Sequence, residues 1–121
     1  MKKMNKSIGT TGENIACNLL LSEKYNIIKK NFNCRNGEID IIGWDKEILC
    51  FIEVKTRYDS AFGSPMEAVS FSKVLSIKKV AKYFIHKYQL YNVNARFDII
   101  EVYLNHRNAD IKTNLIKDAF R

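Results

Sequence analysis

Residues 37–55, GEIDIIGWDKEILCFIEVK, contain two apolar segments joined by a short polar one. Isoleucine, valine and phenylalanine dominate residues 37–44 and 48–56, and these residue types are enriched in β-strands. Asp45, Lys46 and Glu47 supply the polar turn between them. The sequence therefore predicts a β-hairpin.

Charged side chains interrupt the apolar pattern of this hairpin at regular spacing. With a four-residue turn at residues 45–48, Asp40 faces Glu53 across the strand pair. By the same register, Glu38 faces Lys55. Because residues i and i+2 share a face of a strand, all four side chains are predicted on one face, near one end of the hairpin. The other face carries the predicted core residues Ile39, Ile41, Ile52 and Val54.

Directly opposed like charges destabilise a strand pair, so Asp40 opposite Glu53 requires compensation. Lys55 could neutralise the pair in a structural salt bridge, or the true register could differ by one residue and separate the acids. A divalent cation such as Mg²⁺ or Mn²⁺, which prefers oxygen ligands, could instead lie between the carboxylates. The hairpin alone leaves these alternatives open, together with a simple solvated charged face.

The rest of the chain predicts a single α/β domain over residues 1–121. Its core covers about residues 8–104, and residues 105–121 form an edge strand or a tail. The predicted order α-β-β-β-α-β implies a mixed central sheet flanked by helices. The predicted helices are residues 11–24 and 73–88, and the further strands are residues 26–33, 95–104 and, as a short edge strand, 111–116.

Two capping-box patterns predict helix starts. Thr10 with Glu13 matches the S/T-x-x-E spacing that begins the first helix. Ser64 with Glu67 matches it again, with Pro65 at the first helical position. We expect the second helical region, residues 65–88, to be interrupted near residues 70–72.

Charge and composition restrict the class of protein. Lys and Arg total 20 against 13 acidic residues, a net charge of +7 that favours a polyanionic partner such as nucleic acid or an acidic membrane surface. Three cysteines without a CxxC spacing argue against a disulfide framework and a structural zinc site. No window approaches 18 apolar residues and the basic start lacks an apolar region, so we expect a cytoplasmic protein without a membrane segment.

The motif Asp40…Glu53-Val54-Lys55 resembles the D…(D/E)-x-K core of the PD-(D/E)XK nuclease superfamily. The wider strings NFNCRNGEIDII at residues 31–42, FIEVKTR at 51–57, FGSPMEAV at 62–69 and RFDIIEV at 96–102 resemble the YraN family of bacterial proteins. That family is similar in fold to archaeal Holliday-junction resolvases. The resemblance extends from about residue 8 to residue 104.

The resemblance implies roles for the matching residues. Asp40 and Glu53 correspond to the two metal-binding carboxylates, and Lys55 to the lysine that orients the attacking water. Glu13 corresponds to a helix glutamate that completes the metal site, unless it only caps the helix. Glu38 is a secondary candidate on the predicted active face. Ile39 stands where the superfamily's proline would be.

The implied function is a metal-dependent endonuclease that hydrolyses phosphodiester bonds in DNA, with branched or structured DNA among its candidate substrates and Mg²⁺ or Mn²⁺ as cofactor. The alternative is a nucleic-acid-binding module with the same fold and little or no catalysis. A homodimer is compatible with cutting two strands but is not implied by the residues. The basic residues expected to bind nucleic acid are Arg35, Arg57, Lys73, Lys78 and Lys79.

Three further side chains outside this set receive simpler assignments. Tyr58 and Phe62 follow the motif and are candidates to stack on a base. Asp98 is expected to be a structural acid paired with Arg96 or Arg57.

Overall fold

The computed structural model describes residues 2–58, 69–105 and 110–121, with the backbone alone at residues 2–10 and 58. Two helices and five strands occupy these residues in the order α-β-β-β-α-β-β. The elements are α1 (Lys2–Ser22), β1 (Asn26–Cys34), β2 (Gly37–Asp45), β3 (Ile48–Tyr58), α2 (Phe71–Lys87), β4 (Asn94–Leu104) and β5 (Ile111–Phe120).

The strands form one mixed sheet in the order β1-β2-β3-β4-β5. β3 and β4 run parallel, and the other neighbouring pairs run antiparallel. A parallel pair needs a crossover connection, and α2 lies in the connection from β3 to β4. The predicted α/β fold is therefore confirmed, and the short edge strand expected at residues 111–116 extends from Ile111 to Phe120.

Each face of the sheet packs against one helix, so β2 and β3 are apolar on both sides in their central parts. The α1 core contains the buried residues Ala16, Cys17, Leu20, Tyr25, Ile41, Cys50, Ile52, Ile100, Val102 and Leu104. The α2 core contains the buried residues Ile39, Ile42, Leu49, Phe51, Ile77, Val80, Ala81 and Phe84.

The two helix starts differ in how well the sequence predicts them. α2 begins after Ser70, whose side chain accepts a hydrogen bond from the backbone N–H of Lys73. α1 begins at Lys2, so Thr10 lies within the helix and its predicted role as the first cap is wrong. A helix extends at little cost once one part is nucleated and packed, and no proline stops α1 before its buried part. The predicted cap at Ser64 lies outside the described residues.

The predicted hairpin register is confirmed from Asp45–Ile48 to Ile41–Ile52. The predicted apolar face is confirmed for Ile41, Ile52 and Val54, which all belong to the α1 side. It is wrong for Ile39, which is buried in the α2 core instead. The alternation of β2 changes between residues 39 and 41, at the position where the hairpin also stops pairing in register.

Candidate active site

β2 and β3 separate beyond the pair Ile41–Ile52, and Asp40 lies at the point of separation. Its Oδ2 accepts a hydrogen bond of 2.7 Å from the backbone N–H of Val54. The Asp40 side chain thus accepts the hydrogen bond that a main-chain carbonyl of β2 would accept in a regular strand pair. The backbone pairing of β2 with β3 ends at Ile41–Ile52, one residue before Asp40 and Glu53. These two acids are therefore not paired through the backbone, but their side chains interact.

Glu53 extends from β3 towards α2 and is only 8% exposed. Burial, followed by the charge of Asp40, raises the pKa of the Glu53 carboxyl to about 7, against the weaker effects of Lys73 and Lys55. The Asp40 and Glu53 carboxyl groups lie within hydrogen-bonding range, so a shared proton can join them. The two acids of the motif therefore meet at one place, as the sequence predicts.

One oxygen of Glu53 has an unusual environment. Oε2 lies 3.6 Å from the ammonium nitrogen of Lys73, which comes from the first turn of α2. Oε1 is buried, and no described residue donates a hydrogen bond to it. A buried oxygen without a donor costs free energy, and an ionised carboxylate beside a second one costs more. Within the described part of the chain, Oε1 therefore lacks a positively charged or proton-donating partner.

Glu13 approaches the same place from α1. Its pKa is raised, first by burial and then by the charge of Asp40, while a hydrogen bond from the Asn31 side chain lowers it. Gly12 makes this approach close, because a Cβ at that position would overlap the Thr56 hydroxyl of β3. Since α1 runs through Thr10 without a break, the interpretation of Glu13 as a helix cap is excluded.

Glu38 departs from its predicted position. Its Cα partner is Asn33 on β1, and the described register does not pair it with Lys55. Its neighbour Ile39 packs in the α2 core, and its own charge acts on Glu13 of α1. The prediction that Glu38 shares one face with Glu53 is therefore wrong, because the alternation of β2 changes beside Asp40.

Two residues near the site were not found by sequence reasoning. Asn31 adopts a left-handed conformation (φ 53°), and the β1–β2 pairing passes from Lys30 to Phe32 on either side of it. Asparagine tolerates this region better than most residues, and here it aims an amide at Glu13. Glu101 is 4% exposed and pairs with Lys55 in the parallel ladder. The only available signal for either was its place within the YraN-like strings.

Glu101 differs from Glu53 in having donors for both oxygens. Tyr103 donates its hydroxyl to one oxygen at 3.0 Å, and Asn114 donates its side-chain amide to the other at 2.8 Å. It therefore places an acid with two donors on the strand beside Lys55. Among the described residues, Lys55 makes no direct ion pair, and of the alternatives left open by the sequence, a salt bridge from Lys55 to the paired acids is not the one observed. Lys73 makes that contact instead.

The predicted basic residues divide into three groups. Lys73 lies in the site, and Arg57 follows Lys55 on β3 by two residues, which puts it on the same face. Arg35 is exposed in the β1–β2 turn, and Lys79 is exposed on α2. Lys78 is half-buried and donates to the main-chain carbonyl of Arg121, so it is engaged at the end of β5. The Tyr58 side chain and Phe62 lie outside the described residues.

The donor set at the site suits a hard divalent ion. Among residues 11–57, 69–105 and 110–121, no three His, Cys, Asp or Glu side chains are placed to hold a metal ion together. Structural zinc needs four such ligands. Mg²⁺, by contrast, is commonly held by one or two carboxylates, with water and substrate phosphates completing its shell. Asp40 and the unpartnered Glu53 Oε1 fit that second pattern, and Glu13 stands as an outer group.

No helix in the described part of the chain is both long and apolar enough to cross a lipid bilayer.

Comparison with known proteins gives one consistent result. The family model described as "Uncharacterised protein family UPF0102" matches residues 12–102. A "UPF0102 protein" of Clostridium botulinum (strain Alaska E43 / Type E3) is 54% identical over the full chain and 99% of its own length. UPF0102 proteins of Clostridium perfringens (strain ATCC 13124) and Clostridium tetani (strain Massachusetts / E88) are 50% and 48% identical, with the same coverage. The chain therefore belongs to UPF0102, the family also called YraN.

Proposed function

We propose that this protein is a metal-dependent endonuclease that hydrolyses phosphodiester bonds in DNA. The observation that carries the proposal is the buried Glu53 Oε1, which has no described donor and lies beside the Asp40 carboxylate. A free-energy cost of this kind is typical of a functional site, since a structural pair would acquire donors. The resemblance to PD-(D/E)XK nucleases implies that the same two acids bind a metal ion and that Lys55 orients the attacking water.

Asp40 and Glu53 would hold Mg²⁺ or Mn²⁺. The bound ion would supply Lewis-acid stabilisation of phosphate charge and a lowered pKa for water. The acids are well positioned for this role, since Asp40 is fixed by the Val54 N–H and Glu53 by a central strand.

The chain's own cations would do the remaining work. Lys55 projects from the rigid strand β3, so its ammonium can orient a water and stabilise the charge that develops on the phosphate. Lys73 holds Glu53 Oε2 and leaves Oε1 for the ion. Glu13, whose raised pKa makes it a better proton acceptor than an ordinary glutamate, would accept a proton from water at the site.

A nucleic-acid-binding module without catalysis is the second candidate. It is favoured by the lack of a three-ligand group among the described residues and by the absence of acidic residues from α2. Both features suit a surface that grips phosphates without cutting them.

Nuclease assays separate the two candidates. Purified protein is incubated with four-way-junction, nicked, single-stranded and duplex DNA, with Mg²⁺, with Mn²⁺ or with EDTA. We expect metal-dependent cleavage of at least one substrate, with branched DNA preferred. Lys55→Ala and Asp40→Asn should each reduce cleavage on the order of 10³-fold, while DNA binding is retained. Asp118→Asn, which changes an exposed acid on β5, is the matched control and should cleave normally.

Tight binding without cleavage on every substrate and with either metal would establish the module and reject the enzyme. Cleavage by the wild type that survives in Asp40→Asn would reject the assigned site.

A further inference from the structure

A groove of about 570 Å³ runs along α2, away from the paired carboxylates. The β1–β2 turn and the segment that follows α2 form its other walls. Side chains that can bind a nucleotide dominate its lining, which includes Asn36, Lys79, Lys82, Tyr83, His86 and Tyr91. A volume of this size is typical of small-ligand sites, which span roughly 300–1,000 Å³.

The two tyrosine rings of the groove are exposed yet held in place. Tyr83 is 46% exposed and Tyr91 is 60% exposed. The Tyr91 hydroxyl lies 2.5 Å from Nδ1 of His86, and the Tyr83 ring packs against Phe32 at a centroid distance of 6.2 Å. Rings that are ordered on one side and open on the other are suited to stack on a planar base.

The turn side of the groove is tied to α2. The Ser76 hydroxyl donates a hydrogen bond of 2.7 Å to the main-chain carbonyl of Asn36. Gly37 adopts φ 140° and comes so close to Ser76 that a Cβ would overlap the serine hydroxyl. The groove therefore exists before any ligand arrives, and the exposed Asn36 amide can donate to and accept from a base edge.

The charged side chains that line the groove in the described part of the chain are lysines. The sequence contains no aspartate or glutamate between residues 69 and 97, whereas that segment carries five lysines. Lys79 and Lys82 form no ion pair with any described residue, so their ammonium groups are available to an external anion. This positive charge complements a phosphate backbone. The tyrosine rings add a stacking surface for a base, which a ligand made of phosphate alone would not use.

We propose that this groove binds an unpaired nucleotide of the substrate DNA, with its base against Tyr83 and Tyr91 and its flanking phosphates on Lys79 and Lys82. The identity of the partner rests on the proposed function. Lys82 lies nine residues beyond Lys73 on α2, or about 14 Å at the helical rise of ~1.5 Å per residue. A strand crossing this distance spans only a few nucleotides, so the groove would take a base close to the paired carboxylates. The preferred substrate is therefore DNA with unpaired bases near the cut.

Binding measured in EDTA tests this groove without any requirement for cleavage. Fluorescence anisotropy compares a labelled single strand with an abasic strand of equal length, which has the same phosphates but no bases. We expect Tyr83→Ala and Tyr91→Ala each to weaken binding of the normal strand about fivefold or more, and Tyr91→Phe to retain it. Affinity for the abasic strand should not change in any of the three.

Matched controls lie outside the groove, at the last residue of α2 and at its C-cap. Tyr88→Ala removes a tyrosine that is 41% exposed, and Lys87→Ala removes a lysine beside it; both should bind the normal strand as the wild type does. The double variant Lys79→Ala/Lys82→Ala should weaken binding of the normal strand and of the abasic strand equally. Equal loss on both strands in the tyrosine variants, or no loss, overturns the proposal.

Photo-crosslinking provides a second readout on the unmodified protein, so it does not depend on the variants folding. A single strand with 5-iodouracil at one position is irradiated, and the attached peptide is identified by mass spectrometry. Attachment at Tyr83, His86 or Tyr91 supports the proposal, and attachment confined to other peptides overturns it. If the binding and crosslinking tests succeed but no substrate is cleaved, nucleotide binding in the groove is supported and the endonuclease proposal is rejected. If substrate is cleaved but the binding and crosslinking tests fail, the endonuclease proposal is supported and nucleotide binding in the groove is rejected.

Discussion

Asp98 and Glu53 are both buried acids on the two central parallel strands, but their surroundings differ in a way that separates structure from function. Asp98 is fully buried on the α1 face of β4. Arg96 donates from Nε to its Oδ1 at 2.8 Å, and the Tyr25 hydroxyl donates to its Oδ2 at 2.9 Å. The backbone N–H of Asp118 also donates to Oδ1, so β5 is joined to this acid as well. Glu53 has a single ion pair among the described residues, with Lys73 at 3.6 Å, and an oxygen without a described donor.

The pKa shifts around the two acids agree with this contrast. Asp98 raises the pKa of the Arg96 guanidinium, mainly through their hydrogen bonds, as expected for a cation held by a carboxylate. Burial and then the charge of Asp40 instead raise the pKa of Glu53, as expected for a buried carboxyl beside a second one. A satisfied buried acid stabilises the fold, whereas an unsatisfied pair retains a capacity to bind a cation.

The largest expected effect on stability concerns the satisfied acid. Arg96→Met removes the guanidinium that contacts Asp98 and Asp45 and leaves a buried charge without its cation. We expect the free energy of unfolding to fall by about 3–5 kcal/mol, measured by urea denaturation. Arg121→Met, which removes an exposed partner of Asp118, is the control and should produce no measurable change. A loss in Arg96→Met no larger than in this control would contradict the structural role of Asp98.

The next effect is a pH dependence at the unsatisfied acid. The Glu53 pKa is about 7 in the folded protein against 4.5 for the ordinary side chain, so the folded state holds this proton more tightly. Protonation of Glu53 therefore stabilises the folded state; this contribution is complete below pH 4.5 and is lost as the pH rises to about 7. At ~1.4 kcal/mol per pKa unit, metal-free protein should lose about 3 kcal/mol across this window.

Glu53→Gln isolates this contribution, because glutamine cannot ionise and its amide can donate to Asp40. Urea denaturation in EDTA at pH 5 and pH 8 should show that the variant lacks the loss and is more stable than the wild type at pH 8. Asp98→Asn should have the opposite sign, with lower stability than the wild type at pH 8. Destabilisation by both changes would show that the two acids do not differ in kind.

The smallest expected effect concerns Glu13, which lies near the pair without joining a three-ligand group. Glu13→Gln keeps the shape and the contact with Asn31 but removes the charge. We expect metal-dependent cleavage to fall by about 10- to 100-fold, the usual cost of losing an outer group at a metal site, and stability to rise slightly. A loss as large as that of Asp40→Asn would make Glu13 a direct ligand.

Much of the fold can be predicted from the sequence because local patterns and burial agree. β2 and β3 are apolar runs on either side of a polar turn, and the register followed from the turn length alone. The failures occur where tertiary contacts override local patterns. α1 begins at Lys2 although Thr10 and Glu13 match a capping box, and Ile39 changes face although its strand alternates elsewhere.

The acids of the site were predictable and their surroundings were not. Asp40, Glu53 and Lys55 have the spacing of the D…(D/E)-x-K motif, so the sequence identifies them. The residues that contact the acids of the site come from elements far away in the sequence. Lys73 reaches Glu53 from α2, and Asn31 reaches Glu13 through a left-handed backbone that no periodicity reveals. Whether an acid is satisfied depends on such contacts, so the contrast between Asp98 and Glu53 becomes visible only in three dimensions.

Anomalous diffraction from crystals soaked in Mn²⁺ at pH 8, where Glu53 is largely ionised, shows whether a cation binds between the two acids. We expect one manganese peak within coordination distance of Asp40 and Glu53 Oε1, and its loss in Asp40→Asn crystals soaked in the same way. A clear density map with no manganese between these carboxylates, or with the ion bound elsewhere in both proteins, would contradict it.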